Sequence, residues 1–593
     1  MTKKFASLPY NPEKLPRELT KYYISATEQE LADMLSTIGL NKMENLFDHI
    51  PSSVKFEKTP FVTEGLSYEN LVTHMEELSK KNNIMTSFLG DGLKNYKVSE
   101  IIPHVCSIRG LTTAYTPYQP ERSQGTLNSL WVYSSTISML TGFEAVNASL
   151  YDRASGIYEA INTAIRLKDK SNTVLVLESN YPGDLEVVKT HAVSTNVHIK
   201  TVPVNEKTGT TDPALVSSMV KDLGDKLAGI VFPQVNSLGN LEDVHALTDI
   251  CTEAKIKSIA IIDPILLATG GLVPPSEFGS GKQGADIFVG EGQHLAIGPN
   301  FGGPGLGIFG IRFNEKNKND IRSTPGRYVG KAKDANDLDC LAMVLSTREQ
   351  HIRREKATSN ICSNQSFLAT LVGAGILARG ENGMTKSIQV AREMAINTAE
   401  RLCNFKGVKL AFPQTDFFNE FVVELNMSAA DVIKKARANG IHLGVDVSGR
   451  VSGGRNLLLL SFFDVHTKND CDKLVNFFSQ NFEKENLTSK VKDLNPIFKR
   501  TTPVNLPNIP IEEIKKFYSD LGAQNVSPDD SIYPLGSCTM KYNPYINDYA
   551  ASLPGFTDLH PQAPEEDAQG SLEILFEIQE MFKGITGLAA VTT

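Results

Sequence analysis

The sequence predicts an α/β protein: a parallel-rich sheet with crossover helices, a smaller α+β domain, and a partial second copy of its own opening. Three observations carry this. Short apolar runs bounded by polar turns recur at helical-length intervals: VLVLES from Val174, GIVF from Gly229, SIAIID from Ser258 and ADIFVG from Ala285. Such runs read as buried parallel strands. The character then changes to a long charged helix followed by EFVVEL, GIHLGV and NLLLLSFF as strands. Finally, two segments repeat. FLGDGLKNYK around Gly90 matches PLGSCTMKYN around Gly536, and QGTLNSLWVYSSTISMLTGFEAV from Gln124 matches QGSLEILFEIQEMFKGITGLAAV from Gln569. Eight of the 23 positions in the longer pair are identical, and the offsets are 446 and 445 residues. One near-constant offset across two motifs indicates duplication of a whole unit.

In order along the chain, residues 1–65 read as a helical arm. In it Thr27-x-x-Glu30 fits a capping box ahead of Leu31, Met34, Leu35 and Ile38 at helical spacing. Residues 66–334 form the large α/β domain, with helical runs at 68–80 and 125–140, and residues 335–485 the small domain. Residues 486–510 have weak periodicity and end rich in proline, which predicts a linker. Residues 511–593 open the second unit. Its run of Leu572, Leu575, Phe576 and Phe582 must either dock or remain an exposed apolar face.

At 593 residues the chain is expected to hold several domains. A formal charge of −9 and a pI near 5.8 argue against nucleic-acid binding. No uninterrupted apolar run reaches membrane-helix length, and MTKKFASLPYNPEKLPREL has no apolar core of a secretory signal. A cytoplasmic protein with seven reduced cysteines and no metal site is expected.

Several segments have chemical potential. Asp263 ends the strand IIDPILL, where ligand-binding side chains of α/β sheets gather. It could pair with a cationic ring nitrogen or cap the turn before Pro264. GEGQHLAIGPNFGGPGLG, Gly290 to Gly307, permits close backbone approach, but no GK[ST] follows, so it is not a P-loop. In TREQHIRREKATSNIC, Glu349 with Arg353 and His351 with Glu355 are i,i+4 pairs, and the arginines suit an anionic partner or subunit contact. AYTPYQPE places Tyr115, Thr116 and Tyr118 on one loop, able to orient a polar ligand. SCTMKYNP offers Ser537, Cys538, Thr539 and Lys541 without a histidine or nucleophile elbow nearby.

Taken together, AYTPYQPERSQG, NASLYD, GEGQHLAIGPNFGGPGLG, PGRYVG, TREQHIRREKATSNIC, PLGSCTMKYNP and HPQAPEEDAQG resemble the glycine decarboxylase family, the P-protein of the glycine cleavage system. Residues 1 to about 485 resemble its first half, subunit 1 when encoded separately, and residues from about 505 resemble the start of the catalytic half. The resemblance implies a fold-type I pyridoxal-phosphate architecture for both halves. It implies glycine decarboxylation, with the aminomethyl group passed to the lipoyl arm of H-protein and the cofactor taking up the electrons released with CO2.

One departure matters. The family's catalytic half needs a Schiff-base lysine after a strand and before a glycine-rich turn. The corresponding place here is near Gln293 and His294, and no lysine occurs between Lys282 and Lys316. The resemblance therefore implies a non-catalytic half in a hetero-oligomer. Pyridoxal phosphate is then expected on a catalytic partner, subunit 2, not covalently on this chain. Tyr115, Thr116, Tyr118, Ser537, Cys538, Thr539 and Lys541 are the active-site loop candidates, and Asp263 the candidate for cofactor contact. The alternatives are a self-sufficient enzyme using another lysine, such as Lys282, or a scaffold without cofactor contact.

Overall fold

The computed structural model describes residues 5, 7–15, 18–19, 27–56, 65–112, 123–168, 171–345, 350–354, 357–360, 363–485, 490–527 and 543–593. The chain forms two compact units. The larger holds Met85–Lys541 and His560–Gln562; the smaller holds Met1–Ile84, Tyr542–Leu559 and Ala563–Thr593. Each unit thus mixes residues from both copies of the repeat.

The first copy opens with helices α1 (Tyr68–Lys81), α2 (Ile101–Cys106), α3 (Arg109–Thr112) and α4 (Gln124–Thr141). The sheet of the larger unit follows, from β1 (Ala145–Val146), β2 (Thr173–Leu177), β3 (His198–Val202), β4 (Leu227–Pro233), β5 (Lys257–Ile262), β6 (Ile287–Glu291) and β7 (Gly307–Ile311). Its spatial order is β1-β7-β6-β5-β4-β2-β3. The strands from β6 to β3 are mutually parallel, while β7 and β1 close one edge antiparallel. TVLVL, LAGIVFP and IFVGE are buried at every residue, as a sheet covered on both faces requires. α5 (Arg153–Leu167) lies on one face, against β4, β6 and β7.

Where the sequence reads as a long charged helix, the chain first makes an antiparallel hairpin of β8 (Tyr328–Lys333) and β9 (Asp339–Val344). Its polar run KAKDAND hides the strand signal, because these edge residues are mostly solvated. Of the expected arginine-rich helix, the described residues show one turn, Gln350–Arg353. The long helix is α6 (Ser363–Leu402), apolar from Leu368 to Ile376 and broken at Gly380, whose φ is 57°. The small domain adds β10 (Val408–Leu410), β11 (Glu420–Leu425), β12 (Val445–Asp446) and β13 (Asn456–Ser461), in the order β10-β11-β13-β12, all antiparallel. The stretch 490–510 is bound along its length. Val273 N donates to Phe498 O (2.8 Å) and Arg500 N to Gly271 O (2.9 Å), while Leu494, Val504 and Leu506 are buried. It satisfies its backbone against loops rather than a ladder, so no periodicity marks it.

The second copy supplies α7 (Ile511–Ala523), α8 (Tyr545–Ala551), α9 (Pro554–Thr557) and α10 (Gln569–Thr586). The leading helices are exchanged between copies. First-copy α1 packs in the smaller unit on second-copy α8, α9 and α10; second-copy α7 packs in the larger unit on first-copy α2, α3 and α4. The same clamp holds both. Asn525 Oδ1 accepts from Gly125 N (2.9 Å) and Thr126 N (3.2 Å), and its Nδ2 donates to Gly110 O and Thr126 Oγ1, both at 3.0 Å. Asn82 Oδ1 accepts from Gly570 N (2.8 Å) and Ser571 N (3.1 Å), and its Nδ2 donates to Gly555 O and Ser571 Oγ, both at 2.9 Å. Each asparagine satisfies amides that a helix leaves unpaired in its first turn.

The glycines are dictated by the same approach. A Cβ on Gly125 would stand 1.8 Å from Leu521 O, and one on Gly570 1.9 Å from Leu78 O. Gly142 and Gly587 then end α4 and α10 in the left-handed region, at φ 71° and 69°. Two of the identical pairs, Gly125 with Gly570 and Gly142 with Gly587, thus serve the docking and the ending of the same helix in each copy.

In the smaller unit the expected Thr27–Glu30 capping box forms. Glu18, nearly buried, accepts from Tyr68 Oη (2.6 Å) and from the Tyr545 and Ile546 amides that open α8 (2.8 and 2.9 Å). The apolar run of α10 divides: Leu572 and Leu575 are partly covered, but Phe576 (61 % exposed) and Phe582 (48 %) face solvent.

Asn525→Ala strands buried amides at Gly125 and Thr126 and should destabilise the larger unit by about 1–3 kcal/mol. Gly125→Ala should cost more, since nothing but backbone can yield. Urea unfolding followed by circular dichroism measures both, with exposed Gly183→Ala, which meets nothing within 4 Å, as the control.

Candidate functional site

The C-terminal ends of β2, β5 and β6 converge in the larger unit, at the place where open α/β sheets bind ligands. Asp263 follows β5 and caps the turn Pro264–Leu267, its Oδ1 accepting from Ile265 N (3.3 Å). Glu291 ends β6, and the short helix Gln293–Ala296 brings His294 beside it. Tyr181 lies just beyond β2, Arg153 starts α5, and Lys94 comes from the FLGDGLK loop. Glu420 starts β11 of the small domain.

These side chains make one buried charge cluster. His294 Nε2 is 2.9 Å from Asp263 Oδ1. Lys94 is ion-paired with Glu420, and its Nζ is also 3.9 Å from Asp263 Oδ2. Ser461 Oγ donates to the other Glu420 oxygen at 2.7 Å. Arg153 forks onto Asp184 (2.6 and 3.2 Å), donates to Gly92 O (2.7 Å) and stacks over Tyr181 with 4.5 Å to the ring centre. Glu291 Oε1 accepts from the amides of Gly292, Gln293 and Leu306.

Burial and pairing oppose each other throughout. Burial raises Asp263, but the His294 ring and then Lys94 outweigh it and hold the carboxyl below its ordinary range. Burial lowers Lys94, yet Glu420 foremost keeps it above its ordinary value, so it is an ammonium. For Glu291 burial wins over the Leu306 amide and Arg153, and its carboxyl is raised. The cavity left between Gly92, Lys94, Arg153, Tyr181, Asp263 and His294 is about 20 Å³.

A neighbouring anchor comes from the second copy. His560 Nε2 donates to Gly90 O (3.2 Å) and Leu93 O (3.3 Å), and its Nδ1 accepts from Gln562 N (3.1 Å). Gln562 Nε2 reaches Asp91, which Arg450 grips with both nitrogens at 2.6 and 2.7 Å.

The family model of the glycine cleavage system P-protein matches residues 21–478. The chain belongs to the glycine cleavage system P-protein family. A probable glycine dehydrogenase (decarboxylating) subunit 1 of Moorella thermoacetica is 35 % identical over 453 residues, covering 76 % of this chain and 98 % of that protein. Its counterpart in Brevibacillus brevis is 36 % identical over 455 residues, covering 76 % and 97 %. Among solved structures, glycine decarboxylase (P-protein) of the glycine cleavage system in inhibitor-bound form superimposes with a TM-score of 0.68 at 29 % identity, over 77 % of this chain and 99 % of that one. The sheet order and paired domains are those of the fold-type I pyridoxal-phosphate architecture. No helix among the described residues is long and apolar enough to cross a membrane.

Within this P-protein framework, Asp263, Gln293 and His294 come together. Gln293 Nε2 donates to Gly298 O and Pro299 O, both at 3.1 Å, and so shapes the loop rather than the cavity. The glycine-rich stretch serves close approach: a Cβ on Gly307 would stand 2.4 Å from Asp152 O. Tyr115, Thr116 and Tyr118, and likewise Ser537, Cys538, Thr539 and Lys541, lie outside the described residues. Sequence reasoning missed Lys94, Arg153, Tyr181, Glu291 and Glu420. Lys94 could have been found from the repeated FLGDGLK motif; Glu420 reads only as part of a strand.

Lys94→Met should destabilise the larger unit by about 3–5 kcal/mol, since Glu420 loses its buried partner. Lys94→Met with Glu420→Gln should cost less than the single change, and urea midpoints of both chains test this. His560 gives a pH signature. Burial, against the opposing Leu93 and Gly90 carbonyls, holds the ring neutral down to about 4. The unfolded ring takes its proton near the ordinary value of about 6.5. Its contribution is thus complete above pH ~6.5 and lost as pH falls toward 4, on the order of 3 kcal/mol in all. Unfolding midpoints between pH 7 and 4 should flatten in His560→Gln.

Proposed function

We propose that this chain is the non-catalytic half of a glycine decarboxylase. In this reading it pairs with a catalytic half that holds pyridoxal phosphate, releases CO2 from glycine and passes the aminomethyl group to the lipoyl arm of H-protein. The observation that carries the reading is the filled cluster around Asp263. Its cavity of about 20 Å³ compares with the ~150 Å³ that holds a benzene ring, so a pyridoxal ring with its phosphate does not fit. The outer oxygen of Asp263, without a hydrogen-bond partner, already faces the Lys94 ammonium.

In this reading neither Lys94 nor Lys282 serves for covalent attachment. A Schiff base needs a neutral amine, and Lys94 is held charged in its pair with Glu420. Lys282 sits on an exposed turn, paired with Glu277 at 3.0 Å, and does not line the cavity. The place after β6 is taken by Gln293 and His294. In this reading His294 is a structural partner of Asp263. The contribution to catalysis then comes from loops offered to the partner's site, with Tyr115, Thr116 and Tyr118 orienting substrate, and Ser537, Cys538, Thr539 and Lys541 as further loop candidates.

The test is exchange of labelled bicarbonate into glycine with pyridoxal phosphate and H-protein. The chain alone should be inactive, and adding a subunit 2-type glycine dehydrogenase should give exchange. Turnover by the chain alone would refute the reading. In the mixture, Tyr115→Phe with Tyr118→Phe should lower exchange about two- to tenfold per lost hydroxyl. Unchanged rates would assign these rings to packing.

A further inference from the structure

The second half of α6 carries a groove of about 460 Å³. That volume falls within the ~300–1,000 Å³ usual for small-ligand pockets. Helical spacing builds its floor. Ile388, Arg392 and Ile396 stand four residues apart and share one face, with Glu393 alongside. Gly270, in the turn that follows Pro264–Leu267, and Phe418, just ahead of β11, complete the lining. A Cβ on Gly270 would meet nothing within 4 Å, so the groove stands open there.

Arg392 is half-buried and fixed in place. Its Nη1 donates to Phe417 O (2.9 Å) and Phe418 O (3.1 Å), and its guanidinium lies over the Phe418 ring, 5.2 Å from the ring centre. Among the described residues its Nε and Nη2 have no hydrogen-bond partner and no carboxylate stands within ion-pair distance. Elsewhere in the unit Arg153, Arg379, Arg450 and Arg455 each grip a carboxylate. Arg500, held by carbonyls, engages all three of its nitrogens. Arg392 engages one. The edge it leaves open, Nε with Nη2, is the edge with which Arg153 forks onto Asp184. Burial pulls the Arg392 pKa down against the field of Asp416 and Asp493, and Asp416 is itself held by Lys492 at 3.2 Å. The guanidinium stays charged all the same. A half-buried cation thus presents a carboxylate-shaped donor edge to an open groove.

The opposite charge is present too. Glu393 is exposed and has neither an ion pair nor a hydrogen bond among the described residues. Adjacent residues of a helix do not face each other, so Arg392 and Glu393 flank the apolar floor instead of pairing. Glu400, further along the groove, accepts from Val491 N at 3.0 Å. A simple anion would meet the two glutamates and a simple cation would meet Arg392. A molecule carrying both charges meets neither obstacle.

We propose that this groove binds an α-amino acid with a large apolar side chain. The carboxylate takes the Nε–Nη2 edge of Arg392, the ammonium takes Glu393, and the side chain lies on Ile388, Ile396 and Phe418. The groove shares no lining residue with the cluster around Asp263, and the inference does not rest on the pairing proposed above.

Isothermal titration of the full chain tests this, with L-phenylalanine as the probe. The expected result is saturable binding with a dissociation constant of about 1 mM or below. Hydrocinnamate lacks the ammonium, phenethylamine lacks the carboxylate, and glycine lacks the side chain. Each should bind at least about tenfold more weakly. Arg392→Gln and Glu393→Gln should weaken L-phenylalanine by a similar factor. Glu393 is exposed and unpaired, so its substitution keeps the fold whatever Arg392→Gln does, and circular dichroism checks both chains. The inference is overturned by the absence of saturable binding to the wild-type chain, by unchanged affinity in Glu393→Gln, or by hydrocinnamate binding as tightly as L-phenylalanine.

Discussion

An amide side chain set against the first turn of a helix is the constraint on which the larger unit depends. Asn525 reaches α4 from 400 residues further along the chain and satisfies two amides there and one carbonyl on α3. α4 is the central helix of that unit, packed on α6, on the β8–β9 hairpin and beside β1. Its first turn cannot be buried with unpaired amides. With the asparagine in place the core around Leu127, Leu130 and Tyr133 closes without stranded amides, and glycine at 125 leaves room for the asparagine to arrive.

The same unit resolves a second electrostatic problem at its strand ends. Lys94, Arg153, Asp184, Asp263, Glu291 and Glu420 are gathered out of water, and each is matched by an opposite charge or by backbone amides. Buried charge is tolerated only when compensated in this way. Among the described residues, the space this compensation leaves beside Asp263 and His294 is about 20 Å³. Through Lys94, which meets Glu420 of the small domain and Asp263 of the sheet, the cluster also joins these two parts of the unit.

The strands from Val174 to Gly290 were readable because both faces of the sheet are covered, which forces continuous apolar runs. The capping box at Thr27 and the duplication were readable because they are local or near-identical patterns. Asp263 and His294 were visible as residues, and their mutual contact was not, since nothing in sequence spacing relates positions 263 and 294. Glu420 was hidden inside an apolar strand, and Lys94 inside a motif noted for its glycines. The β8–β9 hairpin carries few apolar residues because it is partly solvated, so a polar run concealed it. The exchange of arms was the deepest omission. A duplicated sequence implies two like units, and only coordinates reveal that α1 and α7 have each crossed to the other copy.

That crossing has a kinetic consequence for a nascent chain. The groove on α4 is complete once residue 141 has been made, but its cover is synthesised 400 residues later. At roughly 5–20 residues per second, the ribosome needs on the order of 20–80 s to deliver it. Through that interval the first copy can lay down its sheet while the mouth of α4 stays wet and its apolar neighbours stay open to passing chains. Closure of so distant a contact is slow by topology alone. The translating ribosome, rather than the sheet, therefore sets when this protein finishes folding, and chaperone dependence should follow the length of that wait.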